Sequence, residues 1–194
     1  VLLAKDQKGY HNLIKLVSFG YIEGFYYKPR VDKQLLKEYS KGLIALSACL
    51  GGEIPRLIME QGVAEAEKAI LEYKDIFGDD LYLEIMRHPS EDKALYDTVF
   101  KDQIFVNKAL LELGIKHGIK CIATNDVHFV NAEDAGAHDR LICLNTGKDL
   151  DDPDRMKYTM QEWFKTREEM YALFSDHPEL LLNTVEVADK IDEY

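Results

Sequence analysis

Short apolar runs alternate along this chain with longer segments whose apolar residues recur at helical spacing, and few folds accommodate that pattern. The predicted strands are Val1–Ala4, Gly42–Ser47, Leu81–Met86 and Ile119–Thr124. The predicted helices are Tyr10–Tyr21, Glu53–Tyr73 in two pieces divided at Gly62, Asp92–Leu113, Ala132–Asn145, Arg167–Phe174 and Pro178–Ile191. Short strands between long helices predict an α/β fold with mostly parallel strands and flanking helices. An open doubly wound sheet and a (β/α) barrel both fit.

The chain has 194 residues, which is long enough for one domain. Its charge limits which partners it can bind, and its cysteine content indicates the redox compartment. The 35 acidic residues outnumber the 24 basic ones, for a net charge of −11, so the overall electrostatic field will not hold nucleic acid and any DNA contact must be local. No apolar run is long enough to span a membrane.

Three scattered cysteines without a CxxC pair predict a reduced, cytoplasmic setting. The strand-like start, without an initiator Met or a basic leader, is interpreted as a cut inside a larger protein.

Polar side chains follow three of the predicted strands directly. Cys49 follows the second strand, His88 the third, and Asp126 and His128 the fourth. In parallel α/β folds the carboxyl ends of the strands share one edge, where the chemistry is found. We therefore expect these loops to lie along one rim, although they are far apart in sequence.

The pair Asp126 and His128 has the composition of half a metal site. In an extended chain residues i and i+2 point to the same side, so carboxylate and imidazole can converge on one point. Zinc and manganese accept both donors. The alternative is ordinary: Asp126 caps a loop or helix, and His128 is a surface residue.

Cys49 and Glu53 flank a glycine pair that permits close backbone approach beside a ligand. The alternative for Cys49 is a small buried apolar residue, and Glu53 either caps the following helix or touches the site. Cys121 and Cys143 lie inside a strand pattern and a helix pattern, so both are predicted to be core residues.

Histidines elsewhere have competing interpretations. His88 could face the rim, as could Glu84 within the preceding strand, but a solvated loop histidine fits His88 as well. His138 could pack or reach back to the rim. The remaining three histidines resemble surface residues of helices: His11, His117 and His177.

The run Phe25-Tyr26-Tyr27-Lys28-Pro29-Arg30 interleaves aromatic rings with two cations. It could stack on and clamp a phosphate or a single strand, with Lys28 and Arg30 near the substrate. Packing of the tyrosines under a loop explains the same residues.

Several collinear segments carry a family resemblance: GFYYKPRVD, LSACLGGEIPRLI, YLEI, ATNDVHFV, DAGAHDRLICLNTGK and FKTREEMYALFSDHPELLLNTVEVADKI. Together they resemble the N-terminal PHP (polymerase and histidinol phosphatase) domain of the bacterial replicative DNA polymerase III alpha subunits, over almost the whole chain. The resemblance implies a distorted (β/α) barrel with a metal cluster at the carboxyl ends of its strands. It also implies that Cys49, Asp126 and His128 are metal ligands, the residues that the rim argument reached separately.

The resemblance also implies that much of such a domain is missing. The family's early H-x-H motif and its further ligands are absent, so residues 1–194 correspond to the second half of a PHP domain, a partial barrel. The polymerase palm, fingers and C-terminal regions are absent too. We therefore expect partial occupancy by a divalent metal (zinc, manganese or magnesium) and no polymerisation by this chain alone.

The functions that the resemblance implies fall into two classes. In the first, the parent protein is a DNA-directed DNA polymerase in chromosomal replication, and this domain is a metal-dependent phosphoesterase that acts as a 3′–5′ proofreading exonuclease. In the second, the domain is a non-catalytic scaffold that braces the polymerase and docks a separate exonuclease subunit. The resemblance implies three partners: the exonuclease subunit, the sliding clamp, and DNA, which would be bound through the parent protein. An exposed sheet edge at Val1–Ala4 further predicts self-association. An unrelated small-molecule hydrolase is the third alternative, which the polymerase-like segments argue against.

Overall fold

The structure, a computed structural model, describes residues 1–193, and for Thr98 the backbone alone. The strands are β1 (Leu2–Ala4), β2 (Leu43–Leu46), β3 (Leu81–Ile85) and β4 (Cys121–Ala123). The α-helices are α1 (Gln7–Ile22), α2 (Lys33–Tyr39), α3 (Glu53–Glu60), α4 (Val63–Phe77), α5 (Lys93–Leu95), α6 (Lys101–His117), α7 (Ala135–Thr146), α8 (Arg167–Leu173) and α9 (Pro178–Asp189). Two 3-10 turns (Gly78–Asp80 and Ala132–Asp134) and a π-helical turn (Tyr96–Phe100) complete the elements.

The four strands form one sheet in the order β1-β2-β3-β4. Strand β2 pairs in parallel with β3, and β3 with β4, which confirms a mixed α/β fold with mostly parallel strands. Strand β1 runs antiparallel to β2, with Leu3 opposite Ile44. Within residues 1–193, β1 and β4 are the two edges, so closure into a barrel remains a prediction.

Helices cover both faces of the sheet because its central strands are apolar on both sides. Every residue of β3 is buried. The larger core lies between one face and helices α3, α4 and α6, and a smaller cluster of Ile44, Tyr82, Ile122 and Val187 joins the other face to α9. Such two-sided burial is typical of parallel sheets.

Local capping sets several helix boundaries. The Asp6 side chain accepts a hydrogen bond from the Gly9 amide at 2.7 Å and starts α1, three residues before its predicted start. Gly62, with φ of 94°, separates α3 from α4 where the sequence predicted a break. Pro178 opens α9, as predicted.

Two details of the helices differ from prediction. Helix α2 was not predicted, although its cap is a sequence signal: the Asp32 side chain accepts a hydrogen bond from the Leu35 amide at 2.8 Å. The predicted Asp92–Leu113 helix is α5, the π-helical turn and α6 in succession, and it continues to His117. Within the described part of the chain, no helix has the length and apolarity to cross a membrane.

Candidate functional site

The loops after β2, β3 and β4 meet at one cleft of about 210 Å³. We call it the rim cleft; its polar lining includes Cys49, His88, Asp126, Tyr158 and Glu162. The first three come from the three loops that the sequence analysis placed along one rim. Tyr158 and Glu162 come from residues 156–164, a segment that crosses the rim and that the sequence analysis did not single out.

Cys49 and Asp126 are direct neighbours in the rim cleft. Burial, and after it the nearby Asp126 carboxylate, raises the pKa of the half-buried Cys49 thiol. Gly52 lets the Cys49 loop turn tightly, because a Cβ there would lie 2.3 Å from the Ser47 carbonyl oxygen. A thiol that holds its proton therefore lies beside a carboxylate at this point of the rim.

The backbone around Asp126 is not extended, so the expected i, i+2 geometry is wrong. Strand β4 ends at Ala123, and Asp126 has φ of 44° in the left-handed region. The exposed His128 ring is turned back, with Nδ1 2.5 Å from the Asp126 backbone oxygen and Nε2 3.1 Å from the Tyr158 hydroxyl. Asp126 and His128 are thus close, but the imidazole contacts the backbone of Asp126 and not its carboxylate.

His88 is a buried residue, and its interpretation as a solvated loop histidine is wrong. Its side chain is only 4% exposed. The Gln103 side-chain oxygen accepts a hydrogen bond from the His88 backbone amide at 2.7 Å. This contact turns the Gln103 side-chain nitrogen toward His88 Nδ1, to which it donates at 3.0 Å. The ring is therefore neutral and donates from Nε2 to the Asn125 carbonyl at 3.2 Å. Burial lowers the pKa of His88 in spite of Glu162 nearby.

Glu162 is a buried carboxylate with one oxygen satisfied. Its Oε1 accepts from the Thr159 amide at 3.0 Å and the Thr159 hydroxyl at 2.5 Å. Within the described residues, Oε2 of Glu162 and Oδ1 of Asn125 are buried without a hydrogen-bond partner. Burial also lowers the pKa of nearby Lys165 to about 8. The sequence carried no periodic signal for this segment, because it belongs to none of the helices or strands.

Two other predicted rim residues support the cleft from behind or beside it. Glu84, 6% exposed, accepts a hydrogen bond from the Ala48 amide and so holds the Cys49 loop; burial raises the pKa of Glu84. The His138 ring lies 5.6 Å from the His128 ring and 5.1 Å from the Tyr158 ring, so it packs at the edge of the rim.

Three predicted residues lie outside the rim cleft. Glu53 accepts from Lys33 and from the Tyr73 hydroxyl, each at 2.6 Å, between helices. Arg30 is exposed and stacks 4.9 Å from the Tyr26 ring, and Lys28 is exposed beside it. The structure does not bring these side chains to the rim, so their substrate role stays a prediction. Cys121 and Cys143 are buried, as predicted.

The side chains at the rim are of types that bind divalent metals, but they are not arranged as a complete metal site. Thiolate, carboxylate and imidazole are ligands that zinc accepts, and Nδ1–H bonded to a carbonyl is the usual second contact of a metal-binding histidine. Nevertheless, no three His, Cys, Asp or Glu side chains within residues 1–193 stand together as a metal-binding group. Cys49 and Asp126 face each other, while the remaining nitrogen of His128 faces Tyr158. The described residues therefore offer a partial site.

Comparison with known proteins finds relatives along the whole chain. The family model described as PHP domain matches residues 1–88. DNA polymerase III subunit alpha of Borreliella burgdorferi is 46% identical over all of this chain, which covers 16% of that relative. The subunit of Helicobacter pylori is 45% identical over 97% of the chain, and that of Thermus aquaticus 43% over 98%, covering 16% and 15% of those relatives. The chain therefore spans about one sixth of the relatives it matches, and along almost its whole length it is similar to DNA polymerase III alpha subunits.

Proposed function

We propose that the chain is a working segment of a DNA polymerase III alpha subunit, a DNA-directed DNA polymerase that acts in chromosomal replication in the cytoplasm. The observation that carries this proposal is identity of 38–46% to curated alpha subunits over 97% or more of the chain. As in the relatives, polymerisation would belong to the much longer whole protein. DNA, a proofreading exonuclease subunit and the sliding clamp are the proposed partners.

Primer extension tests this role. The full-length protein that contains this chain is expected to extend a primed single-stranded template with deoxynucleotides, and the 194-residue chain alone is expected to extend none. Absence of extension by an intact, folded full-length protein would overturn the proposal.

Within that protein, we propose that the rim cleft contributes Cys49, Asp126 and His128 to a divalent metal site. The support is that Cys49 and Asp126 line the rim cleft next to each other, and that the His128 ring contacts the Asp126 backbone and the Tyr158 hydroxyl beside them. A metal bound there would polarise a phosphodiester and promote its hydrolysis, as in a 3′–5′ exonuclease.

The second candidate is a non-catalytic scaffold that braces the polymerase and docks the exonuclease subunit. The acidic net charge of −11 favours it, because such a charge suits a protein-facing surface better than an autonomous nuclease.

The variant Asp126→Asn of the full-length protein separates the two candidates. A catalytic rim predicts that hydrolysis of a 3′-mismatched primer with Mn²⁺ falls at least roughly tenfold while primer extension is retained. A scaffold predicts no such hydrolysis before or after the substitution. Asp151→Asn, which neutralises an exposed carboxylate outside the cleft, is the matched control.

A further inference from the structure

Both ring nitrogens of His128 already have partners. The Asp126 backbone oxygen, 2.5 Å from Nδ1, can only accept a hydrogen bond, so Nδ1 carries the proton. In a neutral ring Nε2 then holds the lone pair, and the Tyr158 hydroxyl at 3.1 Å donates to it. The nitrogen that is chemically ready to bind a metal therefore faces a tyrosine.

The position of Tyr158 is built by several contacts. Its ring centroid lies 4.6 Å from that of His128 and 5.1 Å from that of His138. The His128 amide donates to the Glu162 carbonyl at 2.8 Å, which ties the His128 loop to the segment that carries Tyr158. The hydroxyl thus stands where a cation bound to Nε2 would stand.

We propose that Tyr158 caps the ligand nitrogen of His128, so that a divalent cation enters the rim only when the phenol turns away. The proposal rests on the ligand role of His128 in the proposed function. One lone pair on Nε2 cannot serve the hydroxyl and a cation together, so the two states exclude each other. The cap also explains why Cys49 and Asp126 face each other here while His128 does not join them. Tyr158 is a positioning residue and carries no chemistry itself.

If Tyr158 caps His128, removal of its hydroxyl should strengthen metal binding. In Tyr158→Phe the ring remains but the hydroxyl is lost, so Nε2 no longer gives up a neutral hydrogen bond before it binds a cation. We expect Zn²⁺ and Mn²⁺ to bind about threefold to tenfold more tightly, as measured by calorimetric titration and chelator competition at constant pH. Tyr21→Phe, the same change at an exposed position on α1, is expected to leave the affinity unchanged.

A double-mutant cycle distinguishes the cap from a general loosening of the fold. In a His128→Ala background, Tyr158→Phe is expected to have no effect on metal affinity, because the capped nitrogen is gone. An equal gain in both backgrounds, or no gain in either, would overturn the cap. If His128→Ala alone leaves the affinity unchanged, the proposed ligand role of His128 fails; if it weakens binding but Tyr158→Phe does not tighten it, only the cap fails.

Discussion

Asn125 is a buried residue that shapes the rim beside the proposed ligands Asp126 and His128. It is 6% exposed, and its side-chain nitrogen donates to the backbone oxygens of Gln161 at 2.9 Å and Trp163 at 2.8 Å. These two bonds fasten the 156–164 segment onto the loop after β4. Asn125 therefore couples the predicted ligands to residues more than 30 positions away.

We expect Asn125→Ala to destabilise the protein by about 2–3 kcal/mol, because the two hydrogen bonds of a buried side chain are lost. Urea unfolding followed through Trp163, the single tryptophan, measures the change. Asn145→Ala, at an exposed position of α7, is the control and is expected to stay within about 0.5 kcal/mol of the parent chain. Equal losses in both variants would contradict the fastening role.

His88 predicts a dependence of stability on pH. Burial lowers its pKa in the folded state below the ordinary value near 6.5, so the unfolded chain binds the proton more readily. The folding contribution of neutral His88 is therefore complete above that value and declines as the pH falls through it. Glu162 and Asp126 oppose the shift and Lys165 assists it, but burial is the largest cause.

The measurement is the free energy of unfolding between pH 7.5 and 5 for the parent chain and for His88→Gln, whose amide offers one donor and one acceptor without titrating. We expect a shallower decline in the variant. Parallel profiles for the two proteins would show that His88 is not the group responsible.

Helix α6 and strand β4 pack closely against each other at Gly114 of α6. A Cβ at Gly114 would lie 2.8 Å from the Cys121 sulfur and 2.9 Å from the Ile119 carbonyl oxygen. The neighbouring carbonyl belongs to the backbone and cannot move aside easily. Close packing, and not helix propensity, thus explains a glycine inside α6.

Gly114→Ala is expected to destabilise the protein by about 1–3 kcal/mol through overpacking, although alanine is the better helix former. Gly136→Ala in α7 is the matched control: its nearest atom is the flexible Arg140 guanidinium at 3.4 Å, so we expect no loss and a gain of up to about 1 kcal/mol. Thermal and urea unfolding of both variants measure this difference in sign. A stabilised Gly114→Ala would contradict the close approach.

The two edges of the sheet differ. At β4, the Asn183 amide donates to the Cys121 carbonyl at 2.8 Å and the Thr184 hydroxyl to the Ala123 carbonyl at 3.1 Å, so α9 covers this edge. At β1, no further strand pairs among the described residues. The contrast makes β1 the edge that is open to pairing.

At the scale of the whole molecule, we expect self-association through β1 at micromolar concentrations, despite the repulsion of a net charge of −11. Val1 and Lys5 bond to β2, so by strand alternation the Ala4 amide points outward. Ala4→Pro removes that donor and should reduce the association, while Ala4→Val should not. Light scattering across micromolar concentrations measures it, and a monomeric parent chain would contradict the expectation.

Periodicity and chain order predicted much of this protein. Burial of apolar runs such as Leu81–Met86 on both faces made the strands legible, and Gly62 and Pro178 marked helix boundaries. Because the carboxyl ends of parallel strands share an edge, the common position of Cys49, His88 and Asp126 also followed from sequence. These features depend on local propensity and on one topological rule.

The tertiary structure alone decided how the rim is arranged. Tyr158 reaches His128 across 30 residues, and Asn125 reaches Gln161 across 36, without any repeating pattern that a sequence could display. The left-handed backbone of Asp126 likewise overrode the extended geometry that its spacing suggested. Side-chain orientation at a loop depends on long-range contacts, which exist only after the chain has folded.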